Sequence, residues 1–526
     1  MNDRPVFRDE FDAGIWHQLQ AALSAKDRTE RLEKILAELK TCSAPVAGPL
    51  LSELIRAVVK EASSDWPDRA EVLVALRRPQ DAGPALTAAA VFCQKKMYKR
   101  AGPMVKLAEA GTNVPGICQA EAALQLAAGD RTKAAKTLRR ALLSDPGDPA
   151  TYALLKQAEP GLDWDCLLAA EQLAAGEEPV KVKESSSSEY TLYSIYREWY
   201  RGGRDEATSR LIASAGYREK DPFYCLASAR MSADEGDWHS AQMMYDETCR
   251  AVPDDVRAAC ESGRARLAGG DPDGALVRYR RAEAFDPGSP TVLRGLAASY
   301  AAMSRKGEAA QVILELLDSE LAGYEDYVNG AAALLEAGHV PEAEAAAEAV
   351  LQTYPGDARA GILHSQSELL KGNLLGALQI AGETVRANRK NADCLAQRSS
   401  VRLAMGRTRK ALHDAKAAVA ADPRNLTALT ALMRARQEGG DAPGTIEACR
   451  QVLTLDPDNG PAQDILSQAE FARQGLNAPY DDIAKTAGTS GAESFIKIVS
   501  SLLSEQRYSE AARLCKDNEE RFGIAL

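Results

Sequence analysis

The stretch Val256–Ser289, VRAACESGRARLAGGDPDGALVRYRRAEAFDPGS, decides how the chain is read. Two runs of helix-forming residues are separated by Gly269-Gly270-Asp271-Pro272 and closed by Asp286-Pro287. A glycine adopts a backbone conformation that most residues resist, so it closes the first helix and turns the chain. Pro287 ends the second, because proline lacks an N–H and clashes one turn back. Ala275, small enough to let two helices approach, lies in the first turns of the second run. The stretch predicts two antiparallel helices.

Working outward, the same residue types recur at one interval. Ala207, Ala241, Ala275, Ala309, Ala343, Ala377 and Ala411 follow one another every 34 residues. Pro253, Pro287, Pro355, Pro423 and Pro457 lie 12 residues beyond an alanine position, with Leu321 and Arg389 in the two gaps. Gly236, Gly270, Gly338, Gly372, Gly406 and Gly440 lie five residues before one. Three residue types that keep one period mark a repeat array, in which each unit buries its apolar face on its neighbours.

In period and in the placement of small residues the array resembles the tetratricopeptide repeat family. In Val256–Ser289, Gly263, Ala275, Tyr279, Ala282 and Pro287 fall at positions 8, 20, 24, 27 and 32 of the unit. The aromatic of position 4 is weakly kept, by Tyr327 best, with Cys225, Leu293 and Leu395 elsewhere. The resemblance implies an all-α fold, an α-solenoid in which antiparallel helix hairpins stack into a right-handed superhelix.

Used as a ruler, the ladder divides the rest. Residues 1–80 form an N-terminal helical region, read as a cap, degenerate repeats or a docking module; Leu32, Ile35, Leu36 and Leu39 make one helical stripe, and Leu50, Leu51, Leu54, Ile55 and Val58 another. Ser64 or Asp65 is expected to cap a further helix with Pro67 in its first turn. Residues 81–176 carry a first set of units, the clearest with Gly129-Asp130, Ala134 and Ala141. From Pro146 to Pro253 the register slips by five residues, which places a flexible serine-rich joint at 177–188. The main array, 189–475, opens with a degenerate unit rich in Tyr190, Tyr193, Tyr196, Trp199 and Tyr200, expected to pack the joint. Seven regular units follow from Pro222, and a closing helix covers Gly460 to Gln474. An irregular linker at 476–491 and a shortened capping unit at 492–526 complete the chain.

Net charge is −11 with a pI near 5.3, which disfavours wholesale binding to nucleic acid or an anionic membrane and leaves room only for a local basic patch. The start carries Asp3, Asp9, Glu10 and Asp12 with no apolar run behind them, unlike a signal peptide, and no stretch is apolar for long enough to span a bilayer. A soluble cytoplasmic protein is expected. Ten cysteines are scattered without C-x-x-C or metal-ligand spacing and read as reduced, mostly buried thiols. The five histidines are isolated, and no phosphate-binding loop, dinucleotide fingerprint, H-E-x-x-H or G-x-S-x-G occurs. No catalytic, cofactor or metal site is expected.

The resemblance places positions 2, 5, 9 and 12 of each first helix on an inner groove, and steps of three and four do stay on one side of a helix. Those positions hold Arg230, Arg257, Arg264 and Arg294, then Val328, Leu335, Ile362 and Leu369, then Ser400 and Arg434. A basic section followed by an apolar one suits a peptide with an acidic end and an apolar stretch, because guanidinium groups grip carboxylates bidentately. The opposing reading pairs these arginines with acids of the chain itself, such as Asp234 and Glu261. The Lys/Asn clamp of chaperone-binding members is missing: Leu226, Arg230, Glu261, Thr291 and Gly295 stand at its positions. A non-enzymatic scaffold or adaptor for a protein or peptide is therefore the leading expectation. A helical-repeat nucleic-acid binder, an activity confined to residues 1–78, and a self-assembling component of a larger complex are the alternatives.

Overall fold

The computed structural model describes residues 5–7, 10–25, 27–41, 45–61, 65–78, 81–109, 117–144, 147–253, 255–319, 322–475, 499–500, 502, 507 and 510–516. The linker expected at 476–491 lies outside them, as does most of the capping unit expected at 492–526. The fold is all-α, and the chain divides into two compact units, residues 1–339 and 340–526.

In the first unit the described helices run α1 (Glu10–Leu23), α2 (Arg28–Thr41), α3 (Gly48–Glu61), α4 (Trp66–Ala75), α5 (Gly83–Gln94), α6 (Tyr98–Glu109), α7 (Ile117–Ala127), α8 (Arg131–Ser144), α9 (Pro149–Ala158), α10 (Trp164–Ala174), α11 (Ser188–Tyr200), α12 (Arg204–Ala213), α13 (Ala215–Arg218), α14 (Pro222–Asp234), α15 (Trp238–Ala251), α16 (Val256–Ala268), α17 (Pro272–Phe285), α18 (Pro290–Ala302), α19 (Lys306–Asp318) and α20 (Tyr324–Ala337). In the second they run α21 (Val340–Thr353), α22 (Ala358–Leu370), α23 (Leu374–Ala387), α24 (Ala392–Ala404), α25 (Thr408–Ala421), α26 (Leu426–Glu438), α27 (Ala442–Leu455) and α28 (Gly460–Gly475). Helices pair within each hairpin, α14 with α15, α16 with α17, α24 with α25, and each hairpin stacks on the next through contacts such as α15 on α16 and α25 on α26. Each unit is thus a solenoid of helix hairpins.

The ladders take physical form in this stacking. Ala241, Ala275, Ala343, Ala377 and Ala411 are fully buried, so these positions tolerate no larger side chain without displacing a neighbouring helix. The glycine ladder is a ladder of left-handed residues: φ is +78° at Gly236 and +77° at Gly270. There Gly270 N donates to Leu267 O at 3.1 Å and Asp271 N to Arg266 O at 2.8 Å, which satisfies the last carbonyls of α16. Ser304 fills the gap in the ladder in the same conformation, at φ +58°, with the same pair of bonds to Ala301 O and Tyr300 O. The backbone demand therefore persists where the glycine does not.

A fourth ladder sits one residue before each first helix. Ser187, Asp221, Asp255, Asp357, Asn391 and Asn425 stand at this 34-residue interval or its multiples, and each accepts a backbone N–H in the first turn of the helix it precedes. Gly263 and Tyr279 are linked by packing. The Tyr279 ring lies where a Cβ at Gly263 would come within 2.6 Å of it, and one at Gly295 of the next hairpin within 2.0 Å. A flat side chain thereby fills the seam between two hairpins.

The N-terminal stripes are buried as expected, Leu32, Ile35 and Leu39 in α2 and Leu50, Leu51, Leu54 and Ile55 in α3. Of the two caps expected for α4, Ser64 lies outside the described residues. Asp65 precedes the helix and Pro67 lies in its first turn, but the Asp65 carboxylate makes no cap bond and accepts instead from Arg69 Nε at 2.6 Å. Residues 177–187 carry no helix, with Val180 N donating to Gln172 Oε1 at 2.9 Å and Val182 packed on the core. Tyr193, Tyr196 and Trp199 are buried in the same core, which takes in α7 to α14.

Candidate partner-binding site

The irregular stretch between α10 and α11 changes what the first helices of the array face. After it, α8 comes into contact with α16, and Glu171 of α10 reaches α14 and α16. Glu171 lies 3.0 Å from Arg230 Nη2 and 2.7 Å from Arg257 Nη1. Arg230 is in turn held by Glu261 through Nε at 2.9 Å and Nη2 at 2.6 Å, with Tyr245 Oη donating to the same carboxylate at 3.1 Å. Arg257 also meets the Asp255 carboxylate at 3.3 Å. Charges removed from water in this way persist only when each finds partners, and here each does.

The electrostatics follow from that enclosure. Burial alone would raise the Glu261 carboxyl, but the charge and hydrogen bonds of Arg230, with Arg257 and Arg264 beyond, hold it down at about 2. Burial pushes the Tyr196 hydroxyl up to about 12, and burial with the Glu261 charge pushes that of Tyr245 higher still. The arginines stay charged: burial opposes this at Arg230, and the carboxylates of Glu261 and Glu171 outweigh it.

Of the residues expected in the groove, Arg230 and Arg257 are joined in this cluster. Arg294 is held bidentately by Asp326, at 2.6 and 2.7 Å, and that carboxylate is only 4% exposed. Arg264 and Arg434 are exposed and make no ion pair among the described residues. Val328, expected to line the groove, is instead a core residue at 3% exposure, because its face of α20 is covered by packing. Leu335 is half-buried. In the second unit Ile362 and Leu369 are half-buried against core clusters, and the Ser400 hydroxyl donates to Ala396 O. Of the two acids weighed as partners, Glu261 holds Arg230, whereas Asp234 accepts from Trp199 Nε1 at 3.1 Å.

Between α8 and α16 the first unit forms an open-sided cavity of about 1160 Å³. Leu142, Leu167 and Leu192 line it, with Val252 on one side and Leu162 and Phe223 standing 37% and 42% exposed within it. The short helix α13 belongs to its wall. Gly216 permits this, since a Cβ there would come within 2.5 Å of the Tyr224 ring, whose hydroxyl donates to Ser188 O at 3.0 Å. Arg139 and Glu159 on the lining pair with each other at 2.7 Å, while Lys136, Glu189 and Glu219 make no ion pair among the described residues. Neither Glu171 nor this cavity was visible in the ladder. The one trace of Glu171 in the sequence is a lone charge in Cys166–Ala175, a run apolar apart from it and Gln172.

A solenoid of 34-residue helix hairpins with a recess on one side defines a class of protein that works by presenting surface to other proteins. The family description "Tetratricopeptide repeat" matches residues 226–290 and 397–460, so the chain carries tetratricopeptide repeats in both units. Its repeats mark it as a protein–protein interaction scaffold. No curated protein matches the chain. Among solved structures it is similar to a tetratricopeptide repeat protein from Parabacteroides merdae, at 15% identity and a TM-score of 0.41, over 47% of this chain and 98% of that one. It is also similar to the Cut9–Hcn1 hetero-tetramer of APC/C, at 13% identity and 0.32, over 88% and 95%. A third is YrrB, titled a TPR protein with an unusual peptide-binding site, at 16% identity and 0.30, over 36% and 96%. Among the described residues no helix is long and apolar enough to cross a membrane.

Proposed function

We propose that the chain is a scaffold that holds a segment of a partner protein in the cavity between α8 and α16, and that the segment carries apolar side chains beside a lysine or arginine. The observation that supports this most is a contrast. Arg230, Arg257 and Arg294 already hold carboxylates of the chain itself, whereas Leu162 and Phe223 stand exposed inside a recess large enough for several residues of peptide. Apolar pockets with a few polar groups are the usual form of a recognition site. Glu189, Glu219 and Asp221 outnumber Lys136 among the lining charges without an ion pair among the described residues, so the cavity favours a cation over the acidic end expected from the groove arginines.

Selection of random peptides by display on the immobilised full chain tests this. Enriched sequences should combine apolar residues with Lys or Arg, and Phe223→Glu should weaken them at least tenfold while leaving the circular dichroism spectrum unchanged. Enrichment of acidic peptides that bind the Phe223→Glu variant normally but are lost on Arg264→Glu would refute it.

A further inference from the structure

The acidic balance of the chain conceals a segregation of charge. Residues 95–140 hold ten Lys and Arg against three Asp and Glu, a net charge of +7, so the remainder of the chain carries −18 of the total −11. In the structure this charge lies on α6 and α8, the second helices of consecutive hairpins, both packed on α7, and on the turns that lead into them. Those two turns are equivalent, with Lys96 at φ +58° and Gly129 at φ +85° in the same left-handed position. Lys95, Lys96 and Lys99 stand exposed at one, and Arg131 and Lys133 at the other, with Lys106 exposed further along α6.

These charges are largely uncompensated. Arg100 is taken up by Asp68 and Glu71, and Lys133 by a 3.1 Å pair with Asp130 that leaves it 75% exposed. Lys95, Lys96, Lys99, Lys106 and Arg131 have no ion pair among the described residues. Like charges gathered on one surface lower its stability through repulsion and raise its attraction for a polyanion.

We propose that this basic ridge is a second interaction surface, separate from the cavity, and that it docks a short acidic segment of a partner protein. Its chemistry distinguishes among anions. Lysine predominates, and an ammonium group is a hydrated point charge that responds to charge density, whereas bidentate phosphate recognition relies on arginine. The exposed aromatic of the ridge is Tyr98 alone among the described residues, which gives no platform on which successive bases stack. A nucleic acid or an anionic bilayer that extends past the ridge meets the −18 of the remaining chain. A short run of Asp and Glu meets only the ridge.

The test uses the full chain and a fluorescein-labelled glutamate peptide of about eight residues, followed by anisotropy at about 50 mM salt. Binding should weaken steeply with added salt. The triple variant Lys95→Glu, Lys96→Glu, Lys99→Glu should lose at least tenfold in affinity. Lys390→Glu, Lys410→Glu, Lys416→Glu, the same charge change in the second unit, should lose less than threefold, as should Phe223→Glu in the cavity. The last variant separates this surface from the function proposed above. Equal losses in the two triple variants, no binding of the peptide, or tighter binding of a single-stranded RNA or phosphatidylserine vesicles of matched charge would each overturn the proposal.

Discussion

Replacing Glu261 by Gln removes one charge from the buried cluster and leaves Arg230 facing Glu171 alone. The size of the effect can be worked in two ways. The carboxyl falls from an ordinary 4.5 to about 2 on folding, and at 1.36 kcal/mol per unit this is worth about 3 kcal/mol. Removing one partner of a buried ion pair costs about 3–5 kcal/mol in general, because the other charge is left buried. A solenoid is stabilised repeat by repeat, so the loss should be local to the hairpins that carry the cluster. Hydrogen–deuterium exchange of peptides from 222–268 reads it as a protection loss of about 100-fold, with peptides of the second unit unaffected. The sign with pH follows from the lowered value. The stabilisation is complete above about pH 4.5 and is lost as pH falls through about 2, so variant and wild type should converge in acid. A loss under threefold at neutral pH, or a difference that does not shrink in acid, would refute the claim that Glu261 is held ionised by Arg230.

The ladders make two further predictions. Ser304→Gly should stabilise the chain by up to about 1 kcal/mol, because a left-handed conformation burdens serine more than glycine; a lower melting temperature would count against the shared turn geometry. Ala275→Leu should destabilise by about 1–3 kcal/mol through overpacking of a fully buried position, and an unchanged melting curve would remove the register.

The repeat was legible because its unit is local. A glycine that must be left-handed, an alanine pressed between helices and a proline beyond a helix end each act within a few residues, so each leaves a mark at a fixed interval. The cap ladder, Ser187 to Asn425, was equally present in the sequence, but Ser, Asp and Asn share one role there and no single letter runs its whole length. Ser304 is the opposite case, a position whose letter breaks the ladder while its backbone keeps it. The site was less legible. Periodicity relates a residue to its neighbours one unit away, and so offers Glu261 to Arg230. It cannot relate Arg257 to Glu171, 86 positions upstream across an irregular stretch that resets the register. Val328 shows the same limit on a smaller scale, since spacing assigns a helix face but not which part of that face a neighbour covers.

The most direct test of the account is to find where a selected peptide lies. A benzophenone group placed in a display-selected peptide, photolysed on the full chain and followed by mass spectrometry, should attach to the residues around Leu162, Phe223 and Tyr224. Attachment around Arg264 and Arg294, with the cavity unlabelled, would contradict it and return the ligand to the arginine groove.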